Sequence, residues 1–147
     1  MHDLKAIADR VEIDALRGDF TDSALTRDWD RFAALFTVDG MWRIPGAAEF
    51  FSREEIRAGI ERLQGNWEFF VQANHQGTVS IEGDLAVGRV YVSEFGRFHD
   101  GRSHRNFSVY HDRYLRTPDG WRFTERVYEV KYVDSSPLTG APPVPVS

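Results

Sequence analysis

The chain contains no cysteine. A disulfide framework, a thiolate metal site and a cysteine nucleophile are therefore excluded. It also lacks a basic excess: 18 Lys and Arg face 23 Asp and Glu, for a net charge of −5. Proteins that bind nucleic acid need positive surface, so no nucleic-acid partner is expected. No apolar run approaches the roughly 20 residues of a membrane-spanning helix, so no membrane partner is expected either. The opening residues Met1-His2-Asp3-Leu4-Lys5 show no basic start followed by an apolar stretch. A secretory signal is thus not expected, and a cytoplasmic protein is.

What is present is ordinary globular material with one bias. The 147 residues suit a single domain, and 41% of them are hydrophobic. Aromatic residues reach 14%. They fill cores, and they also line pockets for flat ligands.

Periodicity divides the chain in two. Leu4, Ile7, Ala8, Val11 and Ala15 recur at helical spacing and predict a helix over residues 4–25 with that face inward. Asp22 falls in the centre of the same face, an anomaly. Asp28 predicts a cap for a short second helix carrying Trp29, Phe32, Ala33 and Phe36 inward. Asp39-Gly40 signals a turn, and residues 41–45 a strand. Ser52-Arg53-Glu54-Glu55 is a capping box opening a third helix with Ile56, Ile60 and Leu63 facing in. Gly65 ends it.

Four strand-like stretches follow, 67–81, 85–98, 104–116 and 121–133, separated by turn signals. The last of these, Thr117-Pro118-Asp119-Gly120, is a hairpin signal. The expected architecture is α+β: helices first, then a curved antiparallel sheet that wraps against them as a cone with an open mouth. One domain over 1–134 and a Pro-rich irregular tail over 135–147 are expected.

The segment Asp28-Trp29-Asp30-Arg31-Phe32-Ala33-Ala34-Leu35-Phe36-Thr37, followed by Asp39-Gly40-Met41-Trp42, resembles the opening of the nuclear transport factor 2-like superfamily. Its SnoaL-like branch includes polyketide cyclases, scytalone dehydratase and hexachlorocyclohexane dehydrochlorinase, with ketosteroid isomerase more distant. His75-Gln76-Gly77-Thr78 is similar to that branch. So are Tyr110-His111-Asp112-Arg113-Tyr114 and Asp119-Gly120-Trp121-Arg122-Phe123. The resemblance spans roughly residues 5 to 133. It implies a cone-shaped α+β barrel, often a homodimer through its sheet, with no cofactor and no metal. The implied substrate is a flat hydrophobic small molecule, polyketide-like or polycyclic, handled by proton transfer in a closed pocket. The implied activity is that of a cyclase, isomerase or dehydratase. A non-catalytic ligand-binding or scaffold member, or the small subunit of a ring-hydroxylating oxygenase, are the alternatives.

The resemblance also implies site residues. Relatives pair a histidine on the second long strand with an aspartate on the first helix, so that the carboxylate orients an imidazole that moves a proton. His75 matches the histidine. Leu25 stands at the aspartate position and Ala24 at the tyrosine before it, so Asp22, one helical turn away, is the substitute expected to bond His75, directly or through an arginine or water, or else a structural aspartate paired with a buried arginine such as Arg126.

Glu94 continues the Ala86, Gly88, Val90, Val92 face toward the mouth of the cone. A carboxylate in an apolar mouth suits acid–base work. Ser108, Tyr110 and Asp112 share one strand face. Tyr110 is a candidate donor to a developing oxyanion. Asp112 is either a base or an anchor for Arg126 on the next strand. The catalytic candidates are thus His75, Asp22, Glu94 and Tyr110. Trp42, Tyr91, Ser108, Asp112 and Arg126 are the candidate substrate-binding residues. No His-x-His on one strand, no His-Glu-x-x-His and no Gly-x-Ser-x-Gly occurs, so neither a metal site nor a serine nucleophile is expected.

Overall fold

The computed structural model describes residues 3–143. Three helices and six strands follow one another in the order α1 (Leu4–Leu25), α2 (Trp29–Ala34), β1 (Phe36–Ile44), β2 (Ala48–Phe50), α3 (Arg53–Gln64), β3 (Trp67–Glu82), β4 (Leu85–Phe98), β5 (Ser103–Thr117) and β6 (Gly120–Asp134). The strands form one sheet in the order β2-β1-β6-β5-β4-β3. Four neighbouring pairs are antiparallel and one, β1 with β6, is parallel. The sheet is therefore mixed, where the meander alone predicts an antiparallel one. Among the described residues no helix is long and apolar enough to cross a membrane.

The helix caps follow from the sequence. Asp28 accepts from the backbone of Arg31, and Ser52 from that of Glu55, so each satisfies an amide that the first turn leaves free. The β1 boundary differs from the sequence expectation. Asp39-Gly40 lies inside the strand, where the pairing with β6 shifts register between Phe36 and Met41. The turn signal marks an irregularity in a longer strand. Strand β2, three residues long, carries no periodicity of its own and was not anticipated.

The buried face of α1 also needs correction. Leu4, Ile7 and Val11 are exposed, and the face that packs is Asp9, Ile13, Leu16, Phe20 and Ala24. Ile13, Leu16, Phe20 and Ala24 hold the helical spacing deeper in the chain and contain the larger ring. Asp22 lies nine residues from Ile13, half a rotation around the helix at 100° per residue. It is on the solvent side.

The core lies between α1, α2 and α3 and the concave face of the sheet. It contains Phe20, Phe32, Phe36, Trp42, Ile56, Ile60, Val90, Val92, Tyr110, Tyr114, Trp121, Phe123 and Tyr128. Strands β4 and β5 pair without a register shift, so Ala86, Val90, Val92 and Glu94 of β4 and Asn106, Ser108, Tyr110, Asp112 and Tyr114 of β5 share the concave side. One end of α1 is pinned by a charged contact. Arg116 forks onto the buried Asp9 at 2.6 and 2.8 Å and stacks over Trp121, whose indole N–H also donates to Asp9.

Candidate active site

At the wide end of the concave face the helices and sheet diverge around a cavity of about 400 Å³. One wall is apolar, from Phe20, Ala24, Phe32, Ile60 and Leu63. The sheet wall carries Gln72, Glu94, Asn106, Tyr110 and Tyr128. Trp67 and Phe98 stack at the rim with ring centroids 3.9 Å apart, and His104 meets both rings edge-on at about 6 Å. Among the described residues no three His, Asp or Glu side chains are grouped to hold a metal ion.

Hydrogen bonds on the polar wall run in one direction. The Thr21 hydroxyl donates to Gln72 Oε1 at 2.7 Å, and Gln72 Nε2 donates to Glu94 Oε2 at 2.9 Å. From the other side Asn106 Nδ2 donates to the Tyr128 hydroxyl at 2.9 Å, and that hydroxyl donates to Glu94 Oε1. Every proton in the chain points toward Glu94, and two donors converge on its carboxylate. The arrangement fixes both amides, because Tyr128 has a single hydrogen, which it gives to Glu94, and takes the Asn106 N–H on its oxygen. Asn106 Oδ1 is left buried with no donor. An unpaired buried carbonyl of this kind costs about 1–3 kcal/mol.

Tyr110 stands next to this chain. Its hydroxyl accepts the Trp42 indole N–H at 3.1 Å, and its ring meets that of Tyr128 at 4.9 Å. Burial pushes the phenols of Tyr110 and Tyr128 well above their ordinary range, and for both the Glu94 carboxylate adds to it. Both stay protonated; the Tyr128 hydroxyl donates to Glu94, while the Tyr110 hydroxyl accepts from Trp42.

Behind the wall lies a second, fully buried network. Arg126 donates to Asp112 at 2.7 and 3.0 Å, the Tyr114 hydroxyl adds a 2.6 Å bond to the same carboxylate, and Arg17 donates to Tyr114 at 2.8 Å. The Arg126 guanidinium also lies over the rings of Tyr110, Phe20 and Phe123 at 4.0 to 4.4 Å. Gly88 leaves the space for this network, since a Cβ there would meet Arg17 Nη2 at 2.7 Å.

The predicted site residues thus separate into three places. Glu94, Tyr110 and Trp42 line the cavity together. Ser108, Asp112 and Arg126 do not line it: they lie behind it, with Arg126 only 1% exposed. Of the two roles open to Asp112, the geometry is that of the anchor for Arg126. His75, Asp22 and Tyr91 are elsewhere. The expected Asp22–His75 contact is absent: Asp22 pairs on the surface with Arg31 at 2.6 Å, and Leu25 beside it is exposed. His75 sits at a bulge, where β3 fits two residues between its pairings at Asn74 and Gly77 while β4 fits one. Gln72 and Asn74 point to the concave side, so His75 points out. There its Nε2 is 2.7 Å from Ser93 Oγ and its ring stacks near Phe107, which also stacks on Tyr91.

Sequence reasoning missed Tyr128, Gln72 and Asn106. The signal for Tyr128 was present in the hairpin. Tyr110 pairs directly with Tyr128, and Asp112 with Arg126, only after a one-residue register shift between Arg113 and Tyr114. The Asp112–Arg126 pairing considered from sequence, carried two residues onward, brings Tyr128 opposite Tyr110.

Three helices packed on the concave face of a curved, mostly antiparallel six-stranded sheet are the architecture of the nuclear transport factor 2-like fold. The SnoaL-like domain family model matches residues 5–127, and the chain belongs to that family. It is 29% identical over 124 residues to the uncharacterized protein Rv2910c of Mycobacterium tuberculosis, covering 82% of this chain and 84% of that one. Solved structures show the same fold. The hexachlorocyclohexane dehydrochlorinase LinA-type3 of Novosphingobium barchaimii superposes with a TM-score of 0.85 at 23% identity, over 99% of this chain and 100% of that one. A nuclear transport factor 2-like protein of Novosphingobium aromaticivorans superposes at 0.75 with 27% identity, over 87% and 85%.

Proposed function

We propose that this chain is a cofactor-independent enzyme of proton transfer, a cyclase, isomerase or dehydratase, acting in the cavity on a flat, hydrophobic carbonyl compound of polyketide-like or polycyclic type. The observation that carries this reading is the convergence of Gln72 and Tyr128 on the Glu94 carboxylate inside an aromatic cavity. Glu94 takes a proton from the carbon next to the substrate carbonyl. Tyr110, protonated and beside it, donates to the oxygen that becomes negative, and the aromatic walls hold the ring in place. The SnoaL-like relationship and the presence of a dehydrochlorinase among the fold neighbours support acid–base chemistry of this kind.

The test is hydrogen exchange. The protein is incubated in heavy water with a panel of flat cyclic ketones and polyketide mimics, and deuterium uptake next to the carbonyl is followed by NMR. Enzyme-dependent exchange of at least one compound is expected. Ligand binding in the cavity without exchange of any compound would favour the non-catalytic binding reading instead.

We infer also that two copies pair through the convex face of the sheet. That face leaves Val71, Phe95 and Phe107 exposed, more apolar surface than a charged, solvent-facing sheet carries. A homodimer in a cytoplasmic setting is the expected form, and sedimentation measures it directly.

A further inference from the structure

The cavity carries charge of one sign. Among the described residues that line it, Glu94 is the only carboxylate, and no Lys or Arg is present. The donors that reach Glu94, the Gln72 amide and the Tyr128 hydroxyl, are both neutral. Each carboxylate oxygen takes one of them and keeps a further lone pair. Glu94 is half-buried and not sealed, so a ligand in the cavity can reach it.

The cations nearby are already matched. Behind the wall Arg126 is held by Asp112, and Arg17 donates to Asp14 at 3.2 Å, so two guanidinium groups face two carboxylates. Arg102 lies over the Phe98 ring at 4.9 Å and donates to Asp100 at 2.8 Å. His104 is the one basic side chain in the lining, and a neutral imidazole offsets no charge. The negative charge of Glu94 therefore has no partner in the wall of the cavity.

A carboxylate moved out of water is costly until an opposite charge meets it. The rest of the lining favours the same kind of partner. Trp42, Trp67 and Phe70 share the space with Glu94, and the negative face of an aromatic ring attracts a cation. A neutral ring gains the aromatic contacts but leaves Glu94 unmatched. An anion is repelled.

We propose that the cavity takes an organic cation, a flat ring compound that carries a positively charged nitrogen and sets it against Glu94. This rests on the reading that the cavity is the substrate site, and it narrows the substrate class to nitrogen-containing compounds that are cationic at neutral pH.

The experiment titrates the full chain at about pH 8, above the ordinary imidazole range, with three flat bicyclic probes. They are the N-methylisoquinolinium cation, the neutral lactam N-methylisoquinolone and the anion β-naphthoate. The Trp42 indole N–H, which donates to Tyr110 in the cavity wall, reports occupancy. The cation is expected to bind at least about ten-fold more tightly than the lactam, and the naphthoate more weakly than either. In Glu94→Gln the advantage of the cation should shrink to within about two-fold while the lactam binds as before. If the unaltered protein binds the lactam as tightly as the cation, or binds the naphthoate best, the cation class is wrong and the cavity remains the site. Neither of those results depends on the variant. A preference for the cation that survives Glu94→Gln overturns the assignment to this carboxylate. If no probe moves Trp42, the cavity reading falls and the cation class falls with it.

Discussion

Tyr128 gives its only hydroxyl hydrogen to Glu94, and the two residues lie on strands that are not neighbours: β5 separates them, and Asn106 on that strand donates to Tyr128. Glu94 of β4 is therefore held from both sides, by Tyr128 of β6 and by Gln72 of β3, with Asn106 of β5 supporting Tyr128. A carboxylate fixed this way has few orientations to lose when a substrate arrives, which is what preorganisation requires.

Tyr128→Phe tests that support. It removes one donor from Glu94 and leaves the Asn106 N–H without its acceptor. Thermal unfolding should show a loss of about 1–3 kcal/mol, the usual cost of stranding a buried polar group. The exchange rate on the best ketone should fall about ten-fold while ligand affinity changes little.

The network behind the wall should matter for folding more than for chemistry. Asp112→Asn leaves the Arg126 guanidinium buried without its counter-charge. Breaking a buried pair from one side costs about 3–5 kcal/mol. Asp22→Asn breaks a pair whose partners are both substantially exposed, and surface pairs contribute only about 0–1 kcal/mol. Denaturant unfolding of the two variants side by side measures the contrast.

Acid sensitivity follows from Asp9. Its bonds to Arg116 hold its carboxyl down, from 3.8 to about 2. A depressed carboxyl pKa means that the unfolded chain binds the proton first. The stabilisation is complete above the unfolded value and is lost as pH falls from about 4 toward 2. Asp9→Asn should lower the melting temperature at pH 7 and converge with the wild type near pH 2, as calorimetry across that range would show.

His75 is the residue on which sequence and structure part most sharply. His75→Ala should leave both exchange rate and ligand affinity within about two-fold, since its ring faces Ser93 and Phe107 on the convex side.

The same residues show what could be read from the chain alone. Strand and helix placement was legible because the periods are long and the caps at Asp28 and Ser52 are local chemistry. Glu94 was legible because β4 alternates without interruption from Ala86 to its end. His75 and Asp22 were misplaced for physical reasons that no period reveals. A bulge of one residue reverses the face of a strand, and the weak amphipathicity of α1 offers two competing apolar stripes. The parallel β1–β6 pair and the short β2 depend on tertiary contacts alone. Asn106 and Gln72 are ordinary polar residues in sequence; only the register across four strands gathers them around one carboxylate.

The most direct measurement is the deuterium exchange rate and the ligand affinity of Glu94→Gln beside the wild type, on the ketone that exchanges fastest. Gln fills the same space and cannot take a proton. The account predicts a rate at least about a hundred-fold lower, in the range general-base catalysis supplies, with ligand affinity nearly unchanged. An unchanged exchange rate in Glu94→Gln would contradict it.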